Sequence, residues 1–70
     1  MIGSVRVTVN GVDRDLRAGS TLSALVEREG HSGRGFAVAV DGEVVPRADW
    51  SGFVLTDGQA IEIVVAVQGG

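Results

Sequence analysis

The sequence contains no cysteine and no lysine, and it has a single histidine and a single proline among 70 residues. Without cysteine there can be no disulfide, no thiolate metal site and no cysteine nucleophile. One histidine makes neither a metal site nor a catalytic triad, so His31 is interpreted as an ordinary loop residue. Because all six basic residues are arginine, no side-chain amine of the chain could react with an activated carboxyl group.

Long apolar runs are also missing. The longest, "FAVAV" and "IVVAV", are far shorter than the roughly 20 residues of a membrane span. The N-terminus shows no basic region followed by an apolar block, so no export signal is predicted. We therefore expect a soluble cytoplasmic protein with no membrane partner. Nine acidic residues against six basic ones give a net charge of -3, and repulsion from phosphates argues against a nucleic-acid partner.

The first part of the chain has the pattern of a β-hairpin. Valines alternate with polar residues over residues 5–9, which is typical of a half-buried strand. The pair Asn10-Gly11 suits the positive φ angles of a tight turn. A second strand is predicted from about Val12 to Arg17, with Val12 and Leu16 facing inward.

The stretch "AGSTLSALVEREG" changes the period from two to about 3.6, which predicts an amphipathic helix. Its inner face would hold Leu22, Leu25 and Val26, and its solvent face Glu27 and Glu29. Ser20 or Thr21 is expected to cap the first amides, and Gly30 to end the helix in a left-handed conformation.

Three more strands are predicted in the second half. "FAVAV" is followed by a tight turn at Asp41-Gly42 and by "EVVP", an edge strand because proline cannot donate to a ladder. "RADWSGFVL" is expected to be an irregular connection with Trp50 as a core residue and Phe53 or Leu55 as a further anchor. The last strand is predicted from Ala60 to Val67.

Five strands and one helix form a two-layer α+β domain, with the helix packed on one face of a mixed sheet. The first and last strands would be central and parallel, each flanked by a hairpin. This arrangement is the β-grasp, or ubiquitin-like, fold. We expect residues 1–70 to form one such domain, with residues 68–70 as a flexible C-terminal tail.

The tail, Gln68, Gly69 and Gly70, is the candidate functional site. It can extend roughly 10 Å beyond the last strand. Glycines lack Cβ atoms and can therefore enter a narrow slot in another protein. Joining the Gly70 carboxylate to AMP would neutralise its charge and supply a leaving group, and attack by sulfur would then give a thiocarboxylate. Val64 and Ala66, on the outer face of the last strand, are the predicted docking residues for successive partners.

These segments resemble the ThiS family of sulfur carriers in thiamine biosynthesis over essentially the whole chain. The resemblance rests on "VTVNG", "AGSTLSALV", "VAVDGEVVPRADW", "LTDGQAIEIV" and the closing "AVQGG", in that order. It implies that a ubiquitin-activating-like adenylyltransferase activates Gly70 with ATP and magnesium. A cysteine desulfurase or related donor would then supply sulfur, and thiazole synthase would receive it. The chain itself would be a protein cosubstrate, with no catalytic residue, metal or cofactor of its own.

Three alternatives stay open. The chain could carry sulfur for molybdopterin or cysteine synthesis, since carriers of those pathways share the fold and the Gly-Gly end. It could be a ubiquitin-like modifier that forms isopeptide bonds, or an inert interaction domain.

Overall fold

The architecture is one mixed sheet with a helix on one of its faces. The structure is a computed structural model that describes residues 3–65. Its elements are β1 Ser4–Val9, β2 Val12–Arg17, α1 Leu22–Arg28, β3 Phe36–Val40, β4 Glu43–Val44, a 3-10 helix Arg47–Gly52 and β5 Ala60–Val65. The strand order is β2-β1-β5-β3-β4. β1 and β5 are parallel and the other neighbours antiparallel. The predicted β-grasp fold is confirmed, with β4 at an edge.

Both tight turns have the backbone conformation that their sequences predict. Asn10 and Gly11 have φ angles of 50° and 84°, and Asp41 and Gly42 have 51° and 83°. A two-residue hairpin loop favours a type I′ turn, because the twist of this turn matches that of the flanking strands, and a type I′ turn requires positive φ at both central residues. Asparagine, aspartate and glycine tolerate this region better than other residues do.

The helix begins and ends with side-chain and backbone caps. The Thr21 hydroxyl accepts a hydrogen bond from the Ala24 N–H at 3.2 Å, so Thr21 is the N-cap. At the other end Gly30 has φ +88°. Its N–H donates to the Glu27 carbonyl, and the His31 N–H donates to the Val26 carbonyl. This pair of bonds is a Schellman motif, and it confirms Gly30 as the left-handed terminator.

The core between the helix and the sheet is entirely apolar in the described part of the chain. Its members are Val7, Val9, Leu16, Leu22, Leu25, Val26, Val38, Val40, Val45, Trp50, Leu55, Ile61 and Ile63. The Trp50 indole N–H donates to the Val45 carbonyl at 2.8 Å, so the ring is buried with its polar atom paired. The prediction of Trp50 and Leu55 as core residues is confirmed.

Two predictions of side-chain environment are wrong. Val12 lies on the same face as Val9, its partner in the β1–β2 ladder, but is 51% exposed. The reason is its place on an edge strand directly after the turn. The helical period predicts Glu29 on the solvent face, but its side chain is only 16% exposed and accepts a hydrogen bond from Arg14 Nε at 3.1 Å. Arg14 pairs with Val7 and therefore lies on the helix-facing side of β2.

The connection after β4 is more regular than predicted. Residues Arg47–Gly52 form a 3-10 helix that follows Pro46. The Asp49 N–H donates to the Pro46 carbonyl at 2.9 Å, and the Phe53 N–H to the Trp50 carbonyl at 3.3 Å. Between residues 3 and 65, no helix is both long enough and apolar enough to cross a membrane.

Candidate functional site

The candidate site is built around the end of β5, the strand that leads into the predicted tail. Ala66, Gln68, Gly69 and Gly70 lie outside the described residues, as does the predicted extension of β5 to Val67. Val64 and the surroundings of the strand end are described. We call residues 66–70 the C-terminal segment. The described geometry is that of the end of β5, which this segment follows in the sequence.

β5 has strand neighbours of unequal length on its two sides. β3 pairs with it from Val40 opposite Ile61 to Phe36 opposite Val65. On the other side β1 pairs only at Thr8 opposite Ala60 and Val9 opposite Ile61. The second half of β5 would therefore lack hydrogen-bond partners on the β1 side.

A turn side chain supplies these missing partners. The Asn10 Oδ1 atom accepts a hydrogen bond from the Ile63 N–H at 2.8 Å, and Asn10 Nδ2 donates to the Ile63 carbonyl at 3.3 Å. The Asn10 backbone N–H donates to the Ile61 carbonyl at 2.9 Å. One primary amide thus continues the ladder beyond the end of β1.

The second turn does the same at the beginning of β5. Asp41 Oδ1 accepts a hydrogen bond from the Ala60 N–H at 2.9 Å, and the Asp41 N–H donates to the Ala60 carbonyl at 2.7 Å. The first residue of each hairpin turn therefore bonds to the backbone of β5. Sequence reasoning identified both residues as turn formers and missed this role, for which the turn pairs alone carry no signal.

The outer sheet face, opposite the helix, carries an apolar strip that includes Val64. Ladder partners share a face, so this face holds Ala37 opposite Val64, and Ala39 between Glu62 and Val44. We call Ala37, Ala39, Val44 and Val64 the outer-face strip. Val64 is 62% exposed and Val44 69% exposed. The predicted docking residue Val64 thus lies on an open surface, whereas the docking itself stays a prediction.

The other half of the outer face is charged. Arg6 Nε donates to Asp15 Oδ1 at 2.8 Å and Arg6 Nη2 to Asp15 Oδ2 at 3.3 Å. These hydrogen bonds, and the attraction between the two opposite charges, hold the pKa of Asp15 below its usual value of 3.8 and raise the pKa of Arg6. This ion pair lies level with the start of β5, where the Gly58 N–H donates to the Arg6 carbonyl, whereas Val64 lies toward the end of the strand.

An aromatic cluster lies beside the end of β5, because Phe36 is the ladder partner of Val65. The Phe36 ring centroid is 5.3 Å from that of His31 and 5.5 Å from that of Trp50. The guanidinium carbon of Arg47 lies 4.9 Å from the Trp50 centroid and 5.4 Å from the Phe36 centroid. Arg47 Nη2 also donates to the carbonyl of Gly33 in the loop before β3. A hollow of about 160 Å³ opens between these groups.

The described residues offer little for catalysis. No three His, Asp or Glu side chains among residues 3–65 lie close enough to hold a metal ion. His31 contacts Phe36 rather than a hydroxyl nucleophile or a carboxylate. The described part of the chain can thus present a surface and fix the start of the C-terminal segment.

Comparisons with known proteins agree with this arrangement. The family model of the ThiS family matches residues 7–70. A thiazole synthase of Paramagnetospirillum magneticum is 32% identical over 66 residues, which is 94% of this chain. The chain spans only 20% of that protein's length. The crystal structure of a thiamine biosynthesis protein of Geobacter metallireducens superposes with a TM-score of 0.79 at 23% identity, covering 94% of this chain and all of that one, which establishes the fold.

Proposed function

The chain belongs to the ThiS family, the sulfur carriers of thiamine biosynthesis, and we propose that its sulfur is carried as a thiocarboxylate on Gly70. The observation that carries this proposal is the extent of the family match, which runs through Gly69 and Gly70 to the last residue of the sequence. The chain would then be a protein cosubstrate, and the enzymes would be its partners.

The proposed reaction has two steps on the carboxyl group of Gly70. An adenylyltransferase of the ubiquitin-activating type uses ATP and magnesium, a carboxylate oxygen attacks the α-phosphorus, and pyrophosphate leaves. A cysteine desulfurase or related donor then supplies sulfur as a persulfide, and a thiol reduces this persulfide to hydrosulfide and is itself oxidised to a disulfide. The sulfur attacks the carbonyl carbon, AMP leaves with the bonding electrons, and the thiocarboxylate remains.

Thiazole synthase is the proposed acceptor of this sulfur. The support is the thiazole synthase in which a segment resembles this chain over 66 residues. Joining a carrier to its acceptor in one polypeptide would raise the effective concentration of one at the site of the other. The same chemistry is available to two separate proteins that bind each other.

The geometry of β5 suits a reaction at a distance from the folded domain. Backbone hydrogen bonds hold β5 up to Val65, where it pairs with Phe36. Five residues follow, 66–70, and when extended they reach about 17 Å. Glycines at the last two positions permit backbone conformations and close approaches that a Cβ atom would block. We further propose that Val64 and Ala66 contact the partners while Gly70 reacts.

Mass spectrometry tests the proposal. The purified protein must first show the mass of residues 1–70, because the reaction needs a free carboxylate on Gly70. Incubation with the adenylyltransferase of the same organism, ATP, magnesium and a sulfur donor should add about 16 Da, as sulfur replaces one oxygen. Deletion of Gly70 should abolish the gain, and a truncated protein that still gains this mass contradicts the proposal.

Two alanine substitutions give a matched comparison. Gly69→Ala places a Cβ in the tail and should slow conversion strongly. Gly52→Ala is the control, because Gly52 has no positive φ and no atom within 4 Å of the added Cβ. Equal conversion by both variants contradicts passage of the tail through a narrow slot. Adducts of higher mass with lysines of other proteins would favour a modifier instead.

A further inference from the structure

Charged side chains differ in sign at the two ends of β5. At its beginning lie Asp41, whose carboxylate binds the Ala60 N–H, and Asp57, in the turn just before the strand. At its end lie basic groups around Phe36, the partner of Val65. We call His31, Arg34 and Arg47 the exit rim. β5 therefore runs from an acidic end to a basic end in a protein whose net charge is -3.

The geometry points to a docking function for the exit rim: we infer that it binds an acidic patch on the protein that receives the C-terminal segment. This inference rests on the proposed function, since it concerns the enzyme that acts on Gly70. A slot that receives residues 66–70 must enclose the base of that segment. Its entrance then faces the groups beside Val65, among which the exit rim supplies the charge.

Arg47 is held in place before any partner binds. Its guanidinium group lies against the Trp50 and Phe36 rings and donates to the Gly33 carbonyl, yet the residue is exposed. A long side chain normally loses rotamer freedom when a partner fixes it, and that loss weakens binding. Much of the loss has already occurred here. A planar guanidinium stacked on aromatic rings still has donors at its edge for a carboxylate.

Arg34 lies in the same loop and is placed by it. The residue lies between Gly33, with φ +75°, and Gly35, with φ +94°, and two residues before Phe36. The bond from Arg47 to the Gly33 carbonyl ties this loop to the 3-10 helix. Arg34 has no such bond of its own in the described part of the chain, so it can be changed without loosening the cluster.

The arginines of the exit rim form no ion pair within residues 3–65. The ion pairs there join Arg6 to Asp15 and Arg14 to Glu29. Neither Arg34 nor Arg47 has a carboxylate within 4 Å in that part of the chain. Glu27 is the one acidic residue that lines the adjoining hollow. Exposed charges act over about 8–10 Å at physiological ionic strength, far enough to guide an oppositely charged surface.

Charge reversal with a matched control tests the inference. Arg34→Glu and Arg17→Glu change the net charge equally, and both residues are exposed. Arg17 pairs with Ser4 on the edge strand β2, remote from the end of β5. The assay is pyrophosphate release by the adenylyltransferase of the same organism, with the chain as the varied substrate. We expect Arg34→Glu to raise KM about tenfold with kcat nearly unchanged, and Arg17→Glu to change KM by less than about twofold.

Two further measurements separate docking from a general effect of charge. The gap in KM between the wild type and Arg34→Glu should shrink as salt is raised from about 0.05 M to about 0.5 M, because screening weakens exposed pairs. Glu27→Gln removes the one negative group of the hollow and should lower KM. Arg47→Lys keeps the positive charge but lacks the planar guanidinium group. Its KM should lie between those of the wild type and Arg34→Glu.

The outcomes are distinct. Equal KM values for the wild type and Arg34→Glu contradict docking by the exit rim and leave the proposed function intact. An equal rise for Arg34→Glu and Arg17→Glu overturns it as well, since net charge alone would then explain the effect. A wild-type chain that releases no pyrophosphate overturns the proposed function, and this inference with it.

Discussion

Replacing Asn10 removes the side chain that stands in for a strand partner of β5. Asn10→Gly deletes both hydrogen bonds to Ile63 and keeps the positive φ accessible. Each bond contributes about 0.5–1.5 kcal/mol net, so we expect a loss of about 1–3 kcal/mol in the free energy of unfolding. Ile63 is a core residue, which places the loss toward the upper end because its N–H would be left buried without a partner.

The size of this loss is large for a domain of 70 residues. Such a domain has a total stability of about 4–10 kcal/mol. The melting temperature should therefore fall by about 5–20 °C. Asn10→Ala adds the strain of a left-handed alanine, about 1–2 kcal/mol more. Asn10→Asp keeps the acceptor for the Ile63 N–H without the donor to its carbonyl. From the most to the least stable, the expected order is wild type, Asn10→Asp, Asn10→Gly and Asn10→Ala.

Urea unfolding followed by Trp50 fluorescence measures these differences, because Trp50 is the single tryptophan and is buried. Hydrogen exchange at the Ile63 amide locates the effect. Asp41→Gly is the matched control at the opposite end of β5, where the side chain makes one bond to the strand instead of two. Because this single bond is exposed to solvent whereas the two Asn10 bonds are partly buried, the Asp41→Gly loss should be the smaller one. An Asn10→Gly protein as stable as the wild type, or unchanged exchange at Ile63, would show that the Asn10 side chain does not stabilise β5.

Three further predictions concern docking, pH and the helix. Val64→Asp should raise KM for the adenylyltransferase about tenfold without unfolding the domain. The control is Val54→Asp, because Val54 is also an exposed valine, at 52%, but lies outside the sheet ladders, and this variant should leave KM unchanged. Equal KM values for the two variants contradict docking at Val64. Because Arg6 lowers the folded-state pKa of Asp15, the ion pair stabilises the fold fully at pH values above the usual Asp pKa of 3.8. This stabilisation is lost as the pH falls through the lowered pKa. The difference in urea midpoint between wild type and Asp15→Asn should therefore be present at neutral pH and vanish in acid; a difference that persists in strong acid contradicts this. Thr21→Ala should cost about 1 kcal/mol in urea unfolding through loss of the cap, whereas Ser20→Ala, which removes no bond to a helix amide, should cost less.

The features that the sequence predicted correctly depend on neighbouring residues. The alternation of β1, the turn at Asn10-Gly11 and the left-handed Gly30 each follow from conformational preferences within a few residues. The buried face of the helix follows from spacing alone. These choices agree with one another, which is why the strand order could be predicted as well.

The features that were missed depend on the register between distant segments. Asn10 meets Ile63 only because β1 stops at Val9 while β5 continues, and these residues are 53 positions apart. Arg14 reaches Glu29 because β2 places it under the end of the helix. Neither contact changes the periodicity of its own segment. A turn residue with a spare amide or carboxylate is therefore also a candidate partner for the adjacent strand.

The two hydrogen bonds between Asn10 and Ile63 bear on function much less than on stability, and the difference can be estimated. If Asn10→Gly freed β5 from Ile63 onward, the segment between the held part of the strand and the Gly70 carboxylate would lengthen from residues 66–70 to residues 63–70, that is, from five residues to eight. The effective concentration of a tethered end falls as about the 3/2 power of tether length, so the Gly70 carboxylate would meet a docked partner about twofold less often. Loss of a docking contact such as Arg34 or Val64 is expected to act about fivefold more strongly on KM while leaving stability unchanged. Variants at the turn and variants at the docking surfaces should thus separate in a plot of KM against unfolding free energy, and points along a single line would mean that the surfaces act only through the stability of the fold.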